Sequence, residues 1–406
     1  MTVNMASAEN SVPVGPRMAA RIAKTVAVAF ASFILATLPA AADPFVHTSG
    51  DQFVLNGVPF RVAGVNNHYL PWGSQEEVTR VLDAAVAMHA NVVRTILGPV
   101  IGAPDNSVPT IWDFHNDQAD SNDLNVHGMY LLYWDPATRS MAINAGSNGM
   151  QKIDFLVAEA AKRHLRLILS FVDNWSFIGG AQQMRAWYGS SDKNTFFFTD
   201  PRTIQDYKTW VKFVIDRRNT ITGKIYRDDP TIMAWELMNE PQAPLRIRNT
   251  WMAMMSRYVK TLDPNHLVTT GEDRPSMEDF AIPTVDFITW HGYPIYYDVS
   301  PQRLDRLITQ SCTAAKTHDK PVLLEEFGFA RSNRDPDQPQ AYKMWLDTLR
   351  GDPDCAGWLV WRLVARQDDG AYPPDTYDQF DVHDDDSPTW QVLVSAAKAE
   401  EAQPGQ

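Results

Sequence analysis

Between Phe60 and Trp361 the chain alternates between short continuous apolar runs and stretches whose apolar residues recur at helical spacing. The runs are Phe60–Val65, "NVVRTI", "LRLILSFV", "TIMAWEL", "HLVTT", "VDFITWH", "KPVLLEEFG" and "CAGWLVW". A strand that is apolar on both faces must be covered on both, as in a parallel sheet flanked by helices. The intervening stretches supply that cover. Val78, Val81, Leu82, Ala85 and Met88 fall on one helix face, as do Ile153, Leu156, Val157 and Ala160, and again Trp251, Met254, Met255, Tyr258, Val259 and Leu262. Eight such units, with no GxGxxG or Walker loop after any strand, predict an α/β fold of the (β/α)8 TIM barrel type rather than an open doubly wound sheet.

Two features flank or interrupt the repeat. Ahead of it, "FVHTSGDQFVLNGVPF" alternates around Gly50-Asp51 and Asn56-Gly57, which predicts hairpins, an N-terminal β-hairpin segment leading into the first strand. After the second strand, residues 99–150 form a long insertion before the next helix. A loop of that length in a compact domain is functional or disordered, and its Trp112, Phe114, Tyr130, Tyr133 and Trp134 argue for order. The expected organisation is a leader over residues 1–42, a single domain over 43–400 and a frayed tail over 401–406.

The leader carries Arg17, Arg21 and Lys24, then "TVAVAFASFILATL" and "PAAAD", with Ala40 and Ala42 in a small-x-small cleavage pattern. This is the layout of a secretory signal peptide. Its apolar run of about fourteen residues falls short of the roughly 20 that span a bilayer. The expectation is a secreted or periplasmic protein that begins near Asp43 and keeps no stable membrane association after cleavage. Residues 1–16 have little apolar character, so Met18 is an alternative start. In an oxidising compartment Cys312 and Cys355 could form a disulfide; the alternative is two buried thiols, since their spacing offers no metal pattern.

Charge excludes one class of partner. The formal net charge is −13 at pH 7 with no Lys/Arg cluster, which argues against nucleic acid. The 13 Trp, 13 Tyr and 18 Phe suit both a core and surfaces that stack on sugars. A monomer is expected.

Chemistry in this fold sits at the carboxyl ends of the strands, so polar residues ending apolar runs are the candidates. They are Asn66 and Asn67, Arg94, Asn174 and Trp175, Asn239 and Glu240, His291 and Tyr293, Glu325 and Glu326, and Trp361. Two carboxylates facing one another across such a mouth fit glycoside hydrolysis, one protonated to donate to the leaving oxygen and one ionised to attack the anomeric carbon. Glu240 is the candidate acid, with Asn239 beside it to bind a sugar hydroxyl. Glu326 is preferred to Glu325 as the second carboxylate, because alternation along "LLEEFG" aims only one inward and Gly328 lets the backbone turn directly afterwards. Glu325 is then expected behind the sheet or at the barrel wall. Arg94 near a carboxylate would hold it ionised.

Other residues carry weaker signals. His291 has no metal-ligand pattern around it, and neither metal nor cofactor is expected. "DVHDDDSP", Asp381 to Pro388, lacks the glycine and spacing of a calcium loop and reads as a solvated turn. Trp72, Trp112 and Trp134 are either sugar platforms or loop anchors. A non-catalytic carbohydrate-binding barrel would normally lose one carboxylate, and a metal-dependent hydrolase would need His and Asp ligands at several strand ends.

"WELMNEP", "TWHGYP", "EEFG" and a Trp at the eighth strand resemble glycoside hydrolase family 5. "LILSFVDNWSFIGG", "FFFTDPRTIQDYKTWVKFVIDRRNTITGKIYRDDPTIMAWELMNEP" and "YVKTLDPNHLVTTGE" resemble its endo-β-1,4-mannanases, over about Phe53 to Trp361. The resemblance implies a retaining double displacement on β-mannan or manno-oligosaccharides, with Glu240 as acid/base and Glu326 as nucleophile. It also implies supporting places for Arg94 and Tyr293 near the nucleophile, Asn239 at the sugar 2-hydroxyl, His291 beside the acid/base and Trp361 under the −1 sugar. Asn174 and Trp175, at the end of the third strand, are expected in the cleft on position alone. Asp173 and Gln242 depart from the "VNNW" and "NEPR" usual in that group, and Gln lacks the charge and fork of Arg. That departure, with the 99–150 insertion as a wall across the cleft, leaves an exo-β-mannosidase as an alternative. A β-1,4-glucanase is the other, since the catalytic residues report bond chemistry rather than the sugar.

Overall fold

In the computed structural model, which describes residues 43–111, 128–375 and 378–401, eight parallel strands follow one another around a single sheet. They are β1 (Val62–Asn66), β2 (Val92–Ile96), β3 (Arg166–Ser170), β4 (Ile232–Glu236), β5 (Leu267–Thr269), β6 (Ile288–Gly292), β7 (Val322–Phe327) and β8 (Gly357–Val360). The pairing order β5-β4-β3-β2-β1-β8-β7-β6 keeps every chain neighbour a spatial neighbour, with β8 back beside β1. The remaining seam, between β5 and β6, is bridged by Asp286 N donating to Val268 O at 2.8 Å and Thr269 Oγ1 to Phe287 O at 2.9 Å. This is the expected (β/α)8 barrel. The run expected as a strand from Val285 pairs only from Ile288, because the Asp286 carboxylate accepts from Val268 N at 2.7 Å and bends the segment toward β5.

Helices cover the outer face: α1 (Gln75–Ala87), α2 (Met150–Lys162), α3 (Pro201–Ile215), α4 (Leu245–Leu262), α5 (Pro301–His318), α6 (Gln338–Gly351) and α7 (Pro388–Glu401). Their starts follow local chemistry. Ser74 and Glu77 form a reciprocal capping box for α1, at 3.1 and 2.9 Å. Asp200 caps α3 with Pro201 in its first turn, where a missing N–H costs nothing. The last helix runs to Glu401, and buried Glu400 lies 2.9 Å from Arg61.

The amino-terminal segment is a three-stranded antiparallel sheet, Val46–Ser49, Gln52–Leu55 and Val58–Pro59, with its two turns at the places the sequence predicts hairpins. Asn56 and Gly57 both have positive φ, 53° and 80°, as a tight hairpin turn of this kind requires. The sheet closes the barrel floor: Val46, Phe53 and Phe60 pack with Val62, Val92, Phe287, Leu323 and Leu359 in a separate apolar cluster inside the barrel. The insertion after β2 contains a hairpin, Leu132–Asp135 with Ser140–Ile143. Cys312 on α5 and Cys355 before β8 are joined in a disulfide across a sequence separation of 43, which resolves the alternative left by the sequence. The leader, Trp112, Phe114 and the tail beyond Glu401 lie outside the described residues.

Candidate active site

β4 ends at Glu236, and the chain runs through Leu237 and Met238 to Asn239 and Glu240. Glu240 sits at φ +48°, a left-handed conformation that costs a non-glycine residue about 1–2 kcal/mol. Neighbouring strands hold it there: Asn239 N donates to Val172 O at 2.9 Å and Glu240 N to Gly271 O at 2.8 Å. Gly271 has φ +78°, and a Cβ there would lie 2.1 Å from Met238 O, so only glycine lets the end of β5 come this close. Pro241 disfavours a right-handed helical Glu240.

β7 pairs with β6 in register as far as Trp290 opposite Leu324, then slips so that His291 faces Glu326. Glu325 is the extra residue of a β-bulge, a device that re-aims side chains beside active sites. This corrects the expectation that alternation would send Glu325 behind the sheet or to the wall. Both glutamates point inward, with Arg94 Nη1 2.5 Å from Glu326 Oε1 and Nε 3.5 Å from Glu325 Oε1.

Arg94, fully buried on β2, is the hub. It donates through Nε and Nη2 to Glu236 at 2.6 and 2.8 Å, through Nη1 to Asn66 Oδ1 at 2.9 Å, and through Nη2 to Asn239 Oδ1 at 2.7 Å. One guanidinium cannot ionise three buried carboxylates. Burial and the neighbouring Glu325 charge push Glu236 up to about 7 against the pull of Arg94, so near neutral pH it keeps its proton much of the time.

Glu326 also accepts from Tyr293 OH at 2.6 Å. Burial, aided by the charge of Glu240, raises it against His291 and Arg94. Glu240 accepts from Trp175 Nε1 at 2.6 Å and contacts His291 Nδ1 at 2.6 Å. Burial opposes a charge on His291, yet the charges of Glu326 and Glu240 and the bonds to Glu240 and Glu325 carry it well above the ordinary imidazole range. Burial raises Glu240 in turn, and His291 and Trp175 more than offset this, leaving it below the ordinary glutamate range. The 2.6 Å contact therefore holds one proton on the Glu240–His291 pair, with Glu240 the end that faces the cavity.

Oxygens of Glu240 and Glu326 lie within 4.8 Å of one another and of a His291 nitrogen. Among the described residues, the other cluster with metal-ligand proximity is Cys312, Asp352 and Cys355, whose sulfurs are bonded to each other.

The two carboxylates open into a cavity of about 590 Å³. Asn239, Trp175, Tyr293 and Trp361 line it with them, and Trp175 is an exposed aromatic at its lip. Arg94 and His291 do not line it; they lie beneath, touching the carboxylates. Asn174, expected in the cleft, turns away from it: its Oδ1 accepts from Gln242 N at 3.2 Å and its backbone N donates to Asn239 O at 3.0 Å, so it pins the turn that carries Glu240. Trp72 lines the cavity, whereas Trp134 packs against Trp187 and Tyr188 at 6.3 and 5.5 Å as an anchor of the insertion. Among the described residues of the insertion none lines the cavity, so that part of it is not the wall expected across the cleft.

Sequence reasoning missed Glu236, although a charged residue inside an otherwise apolar strand was a visible signal. It also missed Arg362, which follows Trp361 and is held by Asp381 at 2.5 Å. Asp381 is buried by that pair, and so is not part of a solvated turn. Gln242 reaches Asp273 Oδ1 at 3.3 Å, and the arginines that line the cavity are Arg274, Arg362 and Arg248, whose Nε lies 2.9 Å from Glu272.

A family model described as GH family 5 beta-mannosidase-like matches residues 146–349. Over 383 residues the chain is 30% identical to mannan endo-1,4-beta-mannosidase F of Aspergillus clavatus, covering 88% of this chain and 79% of that protein. It is 32% identical over 393 residues to putative mannan endo-1,4-beta-mannosidase 9 of Oryza sativa subsp. japonica, covering 84% and 87%. The solved endo-1,4-beta-mannanase from Rhizomucor miehei superposes with a TM-score of 0.74 at 27% identity, covering 88% of this chain and 99% of that one.

Proposed function

The chain belongs to glycoside hydrolase family 5, and from that premise we propose that it hydrolyses internal β-1,4-mannosidic bonds of mannan or manno-oligosaccharides by a retaining double displacement. The observation that carries this reading is the pair Glu240 and Glu326, with oxygens within 4.8 Å, each held by its own set of partners at the edge of one cavity. Retaining enzymes hold their two carboxyl groups about 5–5.5 Å apart, while inverting enzymes need about 6.5–9.5 Å to admit a water. Arg94 and Tyr293 bond to Glu326 and favour its ionised form, the form a nucleophile needs.

In the first step a Glu326 oxygen attacks the anomeric carbon and the glycosidic oxygen leaves with the proton of the Glu240–His291 pair, delivered through Glu240. In the second, Glu240 takes a proton from water as that water attacks the same carbon and Glu326 departs. Asn239 has its oxygen tied to Arg94 and one amide hydrogen tied to Asp173 at 2.9 Å, which leaves the other for a sugar hydroxyl. Trp361 is the platform under the −1 sugar. The names of the relatives with broad coverage, each a mannan endo-1,4-beta-mannosidase, support mannan as the substrate. Arg248 and Arg274 offset the missing arginine at position 242.

The protein acts outside the cytoplasm as a monomer, residues 1–42 being its cleaved signal peptide and 43–400 one domain. The Cys312–Cys355 disulfide suits an oxidising compartment. Incubation of the mature chain with mannohexaose, cellohexaose and polymeric mannan in parallel tests the assignment. A ladder of manno-oligosaccharides is expected; mannose alone would convert the reading to exo action, and cleavage confined to cellohexaose would overturn mannan.

A further inference from the structure

His68 follows the two asparagines that end β1, and the mechanism above gives it no task. Its place is fixed from behind. Asn67 Nδ2 donates to Leu363 O at 2.9 Å, Asn67 Oδ1 accepts from Tyr69 N and Leu70 N at 2.9 Å each, and Tyr69 OH accepts from Ala365 N at 2.9 Å. The loop after β1 is thereby clamped to the chain leaving β8, and a rigid support of this kind is what a binding side chain needs.

The imidazole stands in an aromatic setting: Tyr69 at 5.2 Å, Trp72 at 6.0 Å, Phe177 at 6.0 Å and Trp361 at 6.4 Å between ring centroids. It is 5% exposed and lines the catalytic cavity, yet its Nδ1 is buried with no hydrogen-bond partner. Burial, reinforced by the Arg362 charge, pushes it well below the ordinary imidazole range, so it is neutral and offers one donor and one acceptor. A phenylalanine would fill the same space without the cost of a buried polar ring, so packing does not explain the histidine.

Its position along the cavity is also informative. The groups that bond to the two carboxylates are Arg94, Trp175, His291 and Tyr293, and His68 is none of them. It lies beside Trp361, the platform assigned to the sugar under attack, and feels the charge of Arg362. We propose that His68 is a substrate-binding residue that hydrogen-bonds a hydroxyl of the second sugar on the glycone side, and so sets how strongly the enzyme depends on oligosaccharide length. The inference rests on the glycosidase reading of the cavity and adds to it a residue that reads sugar length.

The test compares the full enzyme with His68→Phe and His68→Gln on two substrates, mannotetraose and 4-nitrophenyl β-mannoside. The aryl glycoside places a single sugar on the glycone side. His68→Phe is expected to lower kcat/KM on mannotetraose roughly tenfold, mainly through KM, the size of one lost hydrogen bond. It should leave the aryl mannoside within about twofold, and His68→Gln should recover part of the loss because its amide can bond the same hydroxyl. Unchanged cleavage of mannotetraose by His68→Phe, or an equal loss on both substrates, would overturn the proposal. Should the wild-type enzyme cleave the corresponding glucosides in place of mannosides, the mannan reading fails on that result, and the same ratio taken on cellotetraose and 4-nitrophenyl β-glucoside still decides the role of His68.

Discussion

The floor and the mouth of this barrel lie two residues apart on the same strands, and they are built from opposite chemistry. On β2 Val92 belongs to the floor and Arg94 to the mouth; on β4 the pair is Ala234 and Glu236, and on β7 Leu323 and Glu325. Below, the amino-terminal sheet seals an apolar cluster whose packing supports the fold. Above, Arg94 and His291 sit among Glu236, Glu240, Glu325 and Glu326, an arrangement whose desolvation cost rivals its Coulombic gain. The floor contributes stability that lets the mouth keep charges, a left-handed glutamate and a bulge in place.

If that division is right, changes at the two levels should separate in what they damage. Glu240→Gln and Glu326→Gln should each lower kcat on the order of a thousandfold or more on oligosaccharide substrates. Glu326→Gln should not lower Tm, since burial opposes the charge it removes, whereas Glu240→Gln removes a charge that His291 and Trp175 favour and should lower Tm modestly; steady-state rates and thermal melts on the same preparations check both halves. Leu323→Ala on the floor should do the reverse, costing about 2–5 kcal/mol in denaturant unfolding while leaving kcat/KM near wild type. A large loss of activity in that variant at a temperature where it is fully folded would break the division. Opening the peripheral disulfide with Cys312→Ser and Cys355→Ser together should cost about 2–4 kcal/mol of stability through the loop it closes, again without a change in turnover.

The smallest expected effect sharpens the electrostatics of the mouth. His291 is raised well above its ordinary value, so the pair it forms with Glu240 keeps its shared proton into the alkaline range, and activity is lost only as pH rises through that raised value. In His291→Asn the proton must reside on Glu240 alone. The alkaline limb of kcat/KM should then move to lower pH, which a pH–rate profile reads directly; an unmoved limb would remove His291 from the proton inventory.

What could be read from residues alone divides along the same line. The barrel was legible because apolar strands covered on both faces leave a strong pattern, and Glu240, Glu326 and Trp361 were findable because they lie at or just past the ends of such strands, whereas Arg94, read as ending β2, sits in the middle of it. The inward aim of Glu325 was not, since a bulge is a register event between β6 and β7 that no single strand announces. Nor was the turn of Asn174 away from the cavity, which depends on the backbone of Gln242, a residue distant in sequence. The insertion's Trp134 could be recognised as ordered but not as an anchor, because its partners Trp187 and Tyr188 lie on another segment.

If Glu326 forms a bond to the sugar while Glu240 handles the proton, the stereochemistry of the first product reports it most directly. Proton NMR of the first product formed from mannotetraose, recorded before mutarotation, should show the β-anomer, as two successive displacements require. An α-anomer appearing first would mean a single displacement by water and would contradict the role of Glu326 as nucleophile.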